Sequence, residues 1–588
     1  MKIVCLIKQI PRPDAIEFDP ETRSLKREGV PLILNPFDAL AITEAARLKG
    51  LNSEVIAMTM GPPQAEDALR ECLGLGADRG IHLSDRAFAL ADTIGTSRTL
   101  ALALRKEGAD LVLCGRKALD AETAQVPPEV AAFLGRPHVT SSVGLALEGD
   151  RLRVRRETDD GEETVEVPLP AIVSVARAER EPKEAEPGEG RIDVWAAADL
   201  VDHVRENDKR FGQTGSPTRV LAVHDVTPER AGERFDSAKA AAARIHELAT
   251  ERPAGATAWE KPGHLAKEPG TFYDCWTLVE VSDGRATRAS LELLAKGREL
   301  SGKLGGSNVA LVLGHDVAAA VEDVSRYGAE IVNVGEQEAL REYVPERWVA
   351  AVCSIVERER PHVLLFPATF RGRDLGPRVA GELEYGMTAD CVDLGIDRGG
   401  RLVQHKPAYG GNIVSVIMGR TTPQFATVRP RMFELLEPRD VKAEVRQIDV
   451  GALPEGTTRV VERNETDPGP RRLDEADLVV ALGAGVDPAA IKEAAVSAGA
   501  AIGGDRGACA AGHVPWGAEI GIQGRSVAPR IYLAVETDPG FEHLTGSVKA
   551  GVIAAIAADP SSPLLAAADV GLAGDWRELA PALLEAMS

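Results

Sequence analysis

The feature that most limits what this chain can fold into is a repeat of itself. "GADRGIHLS" (76–84) returns as "GAEIVNVG" (328–335), and "GADLVLCG" (108–115) returns as "RPHVLLFPA" (360–368). "RPHVTSSVGLALEGDRLRVRRE" (136–157) returns as "YGMTADCVDLGIDRGGRLVQHKP" (385–407), so the offset stays at about 250 residues. An internal duplication of this kind predicts two similar domains packed around an approximate two-fold axis.

Each copy alternates short apolar runs with amphipathic stretches. "KIVCLIK", "SEVIAMTMG", "RGIHLS" and "ADLVLCG" read as buried parallel strands. "DALAITEAARLKG", "AEDALRECLGLG" and "ADTIGTSRTLALALRK" space their apolar residues by three and four, as amphipathic helices do. "WTLVEV", "NVALVLG", "EIVNVG" and "PHVLLFPA" repeat the strands, with "SLELLAKGRELSGK" as a helix among them. The pattern predicts an α/β fold of duplicated, doubly wound sheets.

Residues 252–270 and 451–477 are rich in Pro and Gly and read as linkers. The second introduces a last α/β unit through "LVVALGAG", "RIYLAVE" and "VIAAIAAD". The stretch 211–250 lacks a sheet of its own and is expected to reach out and pack on another domain. The expected divisions are 1–210, an arm and linker at 211–270, 271–452 and 453–588.

The copies differ at one loop. From Cys114 to Gly135 the first copy uses 22 residues; from Pro367 to Glu384 the second uses 18. The extra length falls at "LDAETAQ", after a strand that ends in glycine and before a helix. A longer strand-to-helix loop in one copy of a duplicated fold suggests a ligand in that copy only.

Composition narrows the function. A net charge of −22 argues against nucleic acid as a partner. The seven cysteines are scattered singly, without metal or redox spacing, which fits a reducing compartment. "MKIVCLIKQIP" is too short and too charged for a signal peptide. No apolar run approaches the ~20 residues of a membrane span. These readings lead to the expectation of a cytoplasmic protein with no membrane insertion. No nucleophile, acid–base pair or metal cluster stands out, so no catalytic residue and no metal are expected.

Particular stretches then resemble one family. "NPFDALAITEA" (35–45), "CGRKALDAETAQV" (114–126) and "GQTGSPTRV" (212–220) are similar to the β subunit of electron transfer flavoproteins. "PAYGGNIVSVI" (407–417), "PQFATVRP" (423–430), "GGDRGACAAGHVP" (503–515) and "YLAVETDPGFEHLTG" (532–546) are similar to the α subunit. The chain thus resembles a natural β–α fusion, in order and over nearly its whole length. The resemblance implies adenine-nucleotide-hydrolase-like domains followed by a C-terminal FAD-binding domain. It implies an electron carrier serving flavin-containing dehydrogenases and an acceptor such as a membrane quinone reductase. FAD would sit in the last domain, and AMP or a second FAD in the first. Two other readings stay open: an NADH-using, electron-bifurcating protein with two FADs, and a non-redox nucleotide-binding scaffold that has lost the C-terminal flavin. With both halves in tandem, the expected state is a monomer.

The resemblance identifies the long loop with the family's β-side nucleotide site: Gly115, Asp120, Thr123, Ala124, Gln125 and Val126. A helix starting near Gln125 offers free N–H groups and a positive dipole end to a phosphate. Asp120 can accept from ribose hydroxyls. Asp92 caps a second helix start, with Thr93 and Thr96 as hydroxyl donors, and Asn35 and Gly61 stand in turns at the same sheet end. On the α side, Arg506, His543, Asp575, Gly521 and Gly524 match the family's flavin residues. Gln523 takes the place of the group that bonds flavin N5. Asp505 replaces a serine, and the phosphate turn around Gly540 reads "DPGFEH", which introduces Asp538 and Glu542. A carboxylate ~5 Å from a pyrophosphate at an effective dielectric of ~20 costs about 3 kcal/mol, so this FAD site is expected to be weakened. Arg506 and His543 have the alternative of ion pairs to those new acids. Lys406 replaces a family arginine, and "GGN" (410–412) would face the flavin. "EREPKEAEPGEGR" (179–191) matches the partner-recognition loop but lacks its leucine.

Overall fold

The structure is a computed structural model that describes residues 1–15, 29–205, 207–225, 230–251, 259–265, 273–409, 413–465, 473, 476–521 and 524–587. The duplication is visible strand by strand. The first half has the sheet order Ile192–Trp195, Arg79–Leu83, Glu54–Met60, Lys2–Leu6, Leu111–Gly115, Ala171–Val175, His138–Glu148. The second has Glu444–Gln447, Ile331–Glu336, Gly305–Gly314, Tyr273–Val279, Val363–Pro367, Gln424–Val428, Met387–Cys391. These strands pair in parallel, and most are buried throughout, as near-continuous apolar runs require.

The copies diverge after the last strand of each series. In the first, the hairpin Arg151–Glu157 and Gly161–Pro168 continues the same sheet. In the second, Asp393–Ile396, Leu402–Ala408 and Ile413–Gly419 form a separate antiparallel sheet. Each half then lends a strand to the other. Thr218–Asp225 pairs with Ile413–Gly419, and Arg459–Glu465 pairs with Gly161–Pro168, both antiparallel. The stretch 451–477, expected to be only a linker, therefore contains a strand. "RVVERNE" finds its ladder on an edge contributed by the other half, which local composition does not reveal.

The arm at 211–250 does reach another domain. Glu233–Phe235 extends the C-terminal parallel sheet at Val570–Ala573. The helix Ala238–Glu251 buries Ala241, Ala242, Ile245, Leu248 and Ala249, at helical spacing, in that sheet's core. Of the first linker, Trp259 Nε1 donates to Glu437 O at 2.8 Å and Lys261 pairs with Glu330 at 2.5 Å. The C-terminal sheet continues through Val552–Ala557, Ile531–Val535, Leu478–Leu482 and Ala501–Gly504.

The two halves meet through equivalent helices, Val126–Leu134 and Phe370–Leu383. A Cβ at Gly381 would lie 3.0 Å from Ala132 Cβ and 3.2 Å from Glu129 Cα, so a larger residue would push the facing helix back by a few tenths of an ångström. Ile94 of the first half is buried in the second half's core, a contribution of about 2 kcal/mol. Among the described residues no helix is long and apolar enough to cross a membrane.

Candidate functional site

The long loop occupies residues 116–125, between the strand Leu111–Gly115 and the helix Val126–Leu134. In the second copy only Ala368 and Thr369 separate the equivalent strand and helix. The first helix, Pro36–Leu48, fastens the loop. Asn35 donates from Nδ2 to Lys117 O at 3.0 Å and accepts from Leu119 N at 3.3 Å. Asp38, which sequence reasoning missed, accepts from Gly115 N at 3.0 Å and Lys8 N at 2.8 Å. A Cβ on Gly115 would fall 2.4 Å from Asp38 Oδ1. Burial pushes the Asp38 carboxyl up to about 7.

Within the loop, Asp120 Oδ2 pairs with Lys8 Nζ at 2.6 Å, while its buried Oδ1 has no partner. Glu122 and Ala124 sit at φ +49° and +53°, a strain of about 1–3 kcal/mol per residue that the surroundings must hold in place. Thr123 Oγ1 meets Gln125 N only at 3.5 Å.

Several expected ligand groups are committed elsewhere. Gln125 Nε2 donates to Glu129 Oε1 at 3.1 Å and to Met387 O, across the halves, at 3.3 Å. Thr93 and Ser97 hydroxyls donate to Glu129 at 2.9 Å each. Glu129 is fully buried, and burial raises its carboxyl well above the usual range. Asp92 caps Gly95 N at 3.0 Å and takes both Thr218 N and Oγ1, at 2.8 and 2.7 Å. Thr96 and Val126 are half-buried. Gly61 closes its turn on Leu83 O at 3.1 Å. The helix after the loop offers fewer donors than expected, because Pro127 and Pro128 have no N–H.

Cations take over where N–H groups are missing. Half-buried Lys117 and buried Lys406 stand beside Glu122, with Lys117 Nζ 3.1 Å from its carboxylate and Lys406 Nζ 3.4 Å from its carbonyl. Arg373 and Arg429 both hold Asp390, the first at 2.9 Å. Burial, only partly offset by Glu122, pushes Lys117 down to about 8. Burial also lowers Lys406, against the pull of Asp390. Lys117, Lys406, Arg373 and Arg429 thus face the carboxylates of Glu122 and Asp390. Buried charge without a counter-ion costs several kcal/mol, so the seam suits a bound anion. Together with the orphan oxygen of Asp120, it fits a nucleotide: phosphate on the cations, hydroxyl on the carboxylate.

The second copy fills its equivalent position internally. Asp159, in the turn between Arg151–Glu157 and Gly161–Pro168, accepts from Phe370 N at 3.1 Å and Arg371 N at 3.5 Å. Thr369 caps Gly372 N at 3.0 Å and donates to Glu280 at 2.6 Å. A carboxylate from the first half stands where a ligand phosphate would meet the helix dipole.

The α-side residues gather at the C-terminal ends of Leu478–Leu482, Ala501–Gly504 and Ile531–Val535, where ligands of open parallel sheets bind. Asp505 caps Ala508 N at 2.8 Å and accepts from Asp538 N at 2.8 Å. Arg506 pairs with Glu181 of the 179–191 loop, lies 3.8 Å from Glu519 and stands 5.4 Å over the Trp516 ring. Buried His543 bonds Ile520 O through Nδ1 and Tyr532 OH through Nε2, both at 2.9 Å. Since a carbonyl only accepts, Nδ1 carries the proton. Burial keeps this ring neutral.

The described contacts of Arg506 and His543 are thus with Glu181, Glu519, Ile520 and Tyr532 rather than the ion pairs to Asp538 and Glu542 that their charges suggested. Asp538 turns onto Gly540 N at 2.7 Å, and Glu542 is exposed. Gly521 has φ +152°, and a Cβ on Gly524 would lie 2.2 Å from Glu519 O. Asp575 caps Arg577 N at 3.0 Å on the surface. Thr537 Oγ1 is buried without a partner beside this turn, which leaves a hydroxyl and a cation in place for a flavin nucleotide. Gln523 and the stretch 410–412 lie outside the described residues.

Comparison with known proteins places this geometry. Residues 22–200 and 275–453 each match the model of the electron transfer flavoprotein domain, and 472–548 match that of the electron transfer flavoprotein FAD-binding domain. The electron transfer flavoprotein subunit alpha of Thermoanaerobacterium thermosaccharolyticum is 32% identical over 327 residues, 53% of this chain and 97% of that protein. The subunit beta of the same organism is 40% identical over 240 residues, 40% of this chain and 92% of that protein. Caffeyl-CoA reductase-Etf complex subunit CarD of Acetobacterium woodii is 40% identical over 242 residues, 40% of this chain and 91% of that protein.

Proposed function

The chain belongs to the electron transfer flavoprotein family, with its β-like and α-like parts in one polypeptide, and on that premise we propose that it is a self-contained electron carrier. It accepts electrons from flavin-containing dehydrogenases and passes them to an acceptor such as a membrane quinone reductase. FAD in the C-terminal domain supplies the redox chemistry when bound. Arg506, Thr537, Gly521 and Gly524 are the groups that would hold it, while His543 and Tyr532 fix the wall behind. The units 1–210, 211–270, 271–452 and 453–588 act as one monomer, supported by the strands that the two halves exchange.

The N-terminal loop holds an adenine nucleotide. The observation that carries this reading is the excess of cations over carboxylates in the seam: buried Lys406 and Arg429 and half-buried Lys117 and Arg373 against Glu122 and Asp390. Gentle purification followed by assay of flavin and AMP content tests both sites at once. Protein free of nucleotide and colourless in the visible range would overturn the proposal in favour of a scaffold.

The similarity to CarD, from a complex that its name calls a reductase–Etf complex, favours a second version in which the N-terminal nucleotide is itself FAD. That version predicts two flavins per chain and direct reduction of the purified protein by NADH. One flavin plus AMP, with no response to NADH, would exclude it.

A further inference from the structure

A second charged site lies at the opposite end of the second sheet from these loops. His362 and Gln424 stand at the N-terminal ends of Val363–Pro367 and Gln424–Val428, whereas the seam lies at the C-terminal ends. Here the arm strand Thr218–Asp225 crosses onto the second half, and a depression of about 320 Å³ opens beside it. Arg219, Arg401, Arg420, His362, Thr421 and Thr422 line it, and no carboxylate does.

The three guanidiniums differ in their bonds. Arg401 is neutralised by Asp397, through Nε at 3.1 Å and Nη2 at 2.9 Å. Arg420 bonds only neutral carbonyls, Gln213 O and Ser216 O, both at 3.3 Å. The Arg219 side chain is exposed and has no hydrogen bond or ion pair among the described residues. Two uncompensated guanidiniums thus converge on one hollow in a chain of net charge −22, where scattered acidic charge would ordinarily neutralise them.

We propose that this depression binds a phosphate-bearing small molecule, with Arg219, Arg420 and Arg401 on its oxygens. Planar guanidinium forks match the oxygen geometry of phosphate. The neighbouring threonine hydroxyls add neutral donors. The volume exceeds that of one phosphate group, so the ligand is an organic phosphate or a diphosphate rather than the bare ion. Arg219 comes from the arm of the first part and the other lining residues from the second half, so the ligand bridges the arm and the second half. This site is separate from both cofactor loops and does not rest on what they bind.

The test is calorimetric titration of the holoprotein with inorganic pyrophosphate, beside the variants Arg219→Gln and Lys239→Gln. Lys239 is exposed on the helix Ala238–Glu251, which packs on the C-terminal sheet rather than at the hollow, and carries the same charge change. Pyrophosphate is expected to bind at one site beyond the cofactors. Arg219→Gln should weaken it about tenfold or more, and Lys239→Gln should leave it unchanged. Arg219 has no internal partner, so its loss does not threaten the fold. No measurable binding, equal affinity in Arg219→Gln, or equal weakening by Lys239→Gln would overturn the proposal. Association with phosphatidate vesicles without binding of soluble pyrophosphate would also overturn it, and would point to a lipid headgroup.

Discussion

His138 Nδ1 lies 2.9 Å from Asp374 Oδ1, a fully buried contact between residues 236 positions apart that joins the two halves. Tyr343 OH donates to the other Asp374 oxygen at 2.7 Å, and Arg378 Nη2 donates to His138 O at 3.1 Å. Burial alone would raise the Asp374 carboxyl, but Arg378 and His138 hold it well below the usual range. Burial lowers His138 against the pull of Asp374. The group therefore works as an anion between a guanidinium, a phenol and a neutral imidazole.

Asp374→Asn should destabilise the protein by about 3 kcal/mol, because it leaves Arg378 buried without its charge partner. Both His138 and Asp374 have depressed folded pKa values, so their stabilisation is present above the unfolded values and is lost as pH falls. The melting temperature should drop as pH goes from 7 to 5, where unfolded histidine takes a proton that buried His138 refuses. A differential scan should show this slope flattened in His138→Gln. An unchanged slope would remove His138 from the account.

At Glu280 the sign reverses. Burial, with Asp159 nearby, pushes its carboxyl up to about 7. A raised folded pKa stabilises below the unfolded value, and that stability is lost as pH rises through 7. Glu280→Gln should therefore exceed the native protein in stability at pH 8 by on the order of 2 kcal/mol, and the gain should vanish near pH 5. Asp159→Asn should lower the Glu280 pKa, which titration of the carboxyl by infrared difference spectra would read.

Much of this was legible in the chain itself. The repeat gave the paired sheets, and the extra residues at "LDAETAQ" marked the loop that distinguishes the copies. What stayed hidden depends on contacts between distant segments. "RVVERNE" is a strand only because Gly161–Pro168 offers an edge. Thr93 read as a ligand group because Glu129, which takes its hydroxyl, lies 36 positions away, and the second partner of Gln125, Met387 O, is 262 positions away. The pairing of Arg506 with Glu181 joins residues 325 positions apart. One missed feature was visible: the two prolines after Val126, which remove N–H donors from the helix start.

If the seam is built for an anion, Lys406→Met should lower the nucleotide retained through purification while leaving the nucleotide-free protein as stable or more so. A buried lysine kept only for structure would give the opposite pair of results, lost stability and unchanged nucleotide. Thermal melts with and without added AMP separate the two.

Within the loop, Asp120→Ala should release bound nucleotide while costing the nucleotide-free protein little stability, since its Oδ1 has no protein partner to lose and its Oδ2 gives up only a partly exposed pair with Lys8. Gln125→Ala should instead cost about 1–2 kcal/mol, because its amide bridges Glu129 and Met387. Retention of nucleotide in Asp120→Ala would make the loop a helix approach and nothing more.

The α-side turn gives a directional test of whether its acids weaken FAD. Asp538 and Glu542 are both exposed, and the Asp538 carboxylate already bonds Gly540 N. Exposure brings screening, so the roughly 3 kcal/mol expected of a carboxylate near a pyrophosphate is an upper value. Asp538→Ser combined with Glu542→Gln should tighten FAD by about tenfold at low salt, and by less at high salt where the Debye length shrinks to ~3 Å. Arg506 sharpens the comparison. Its pairing with Glu181 has to loosen if the guanidinium is to face a flavin, so Glu181→Gln should tighten FAD as well, with the same salt trend. Equilibrium dialysis at two ionic strengths measures all three. Should the native protein hold FAD tightly and the double substitution loosen it, repulsion is the wrong account, and Asp538 and Glu542 would have to be bonding the ligand's hydroxyls.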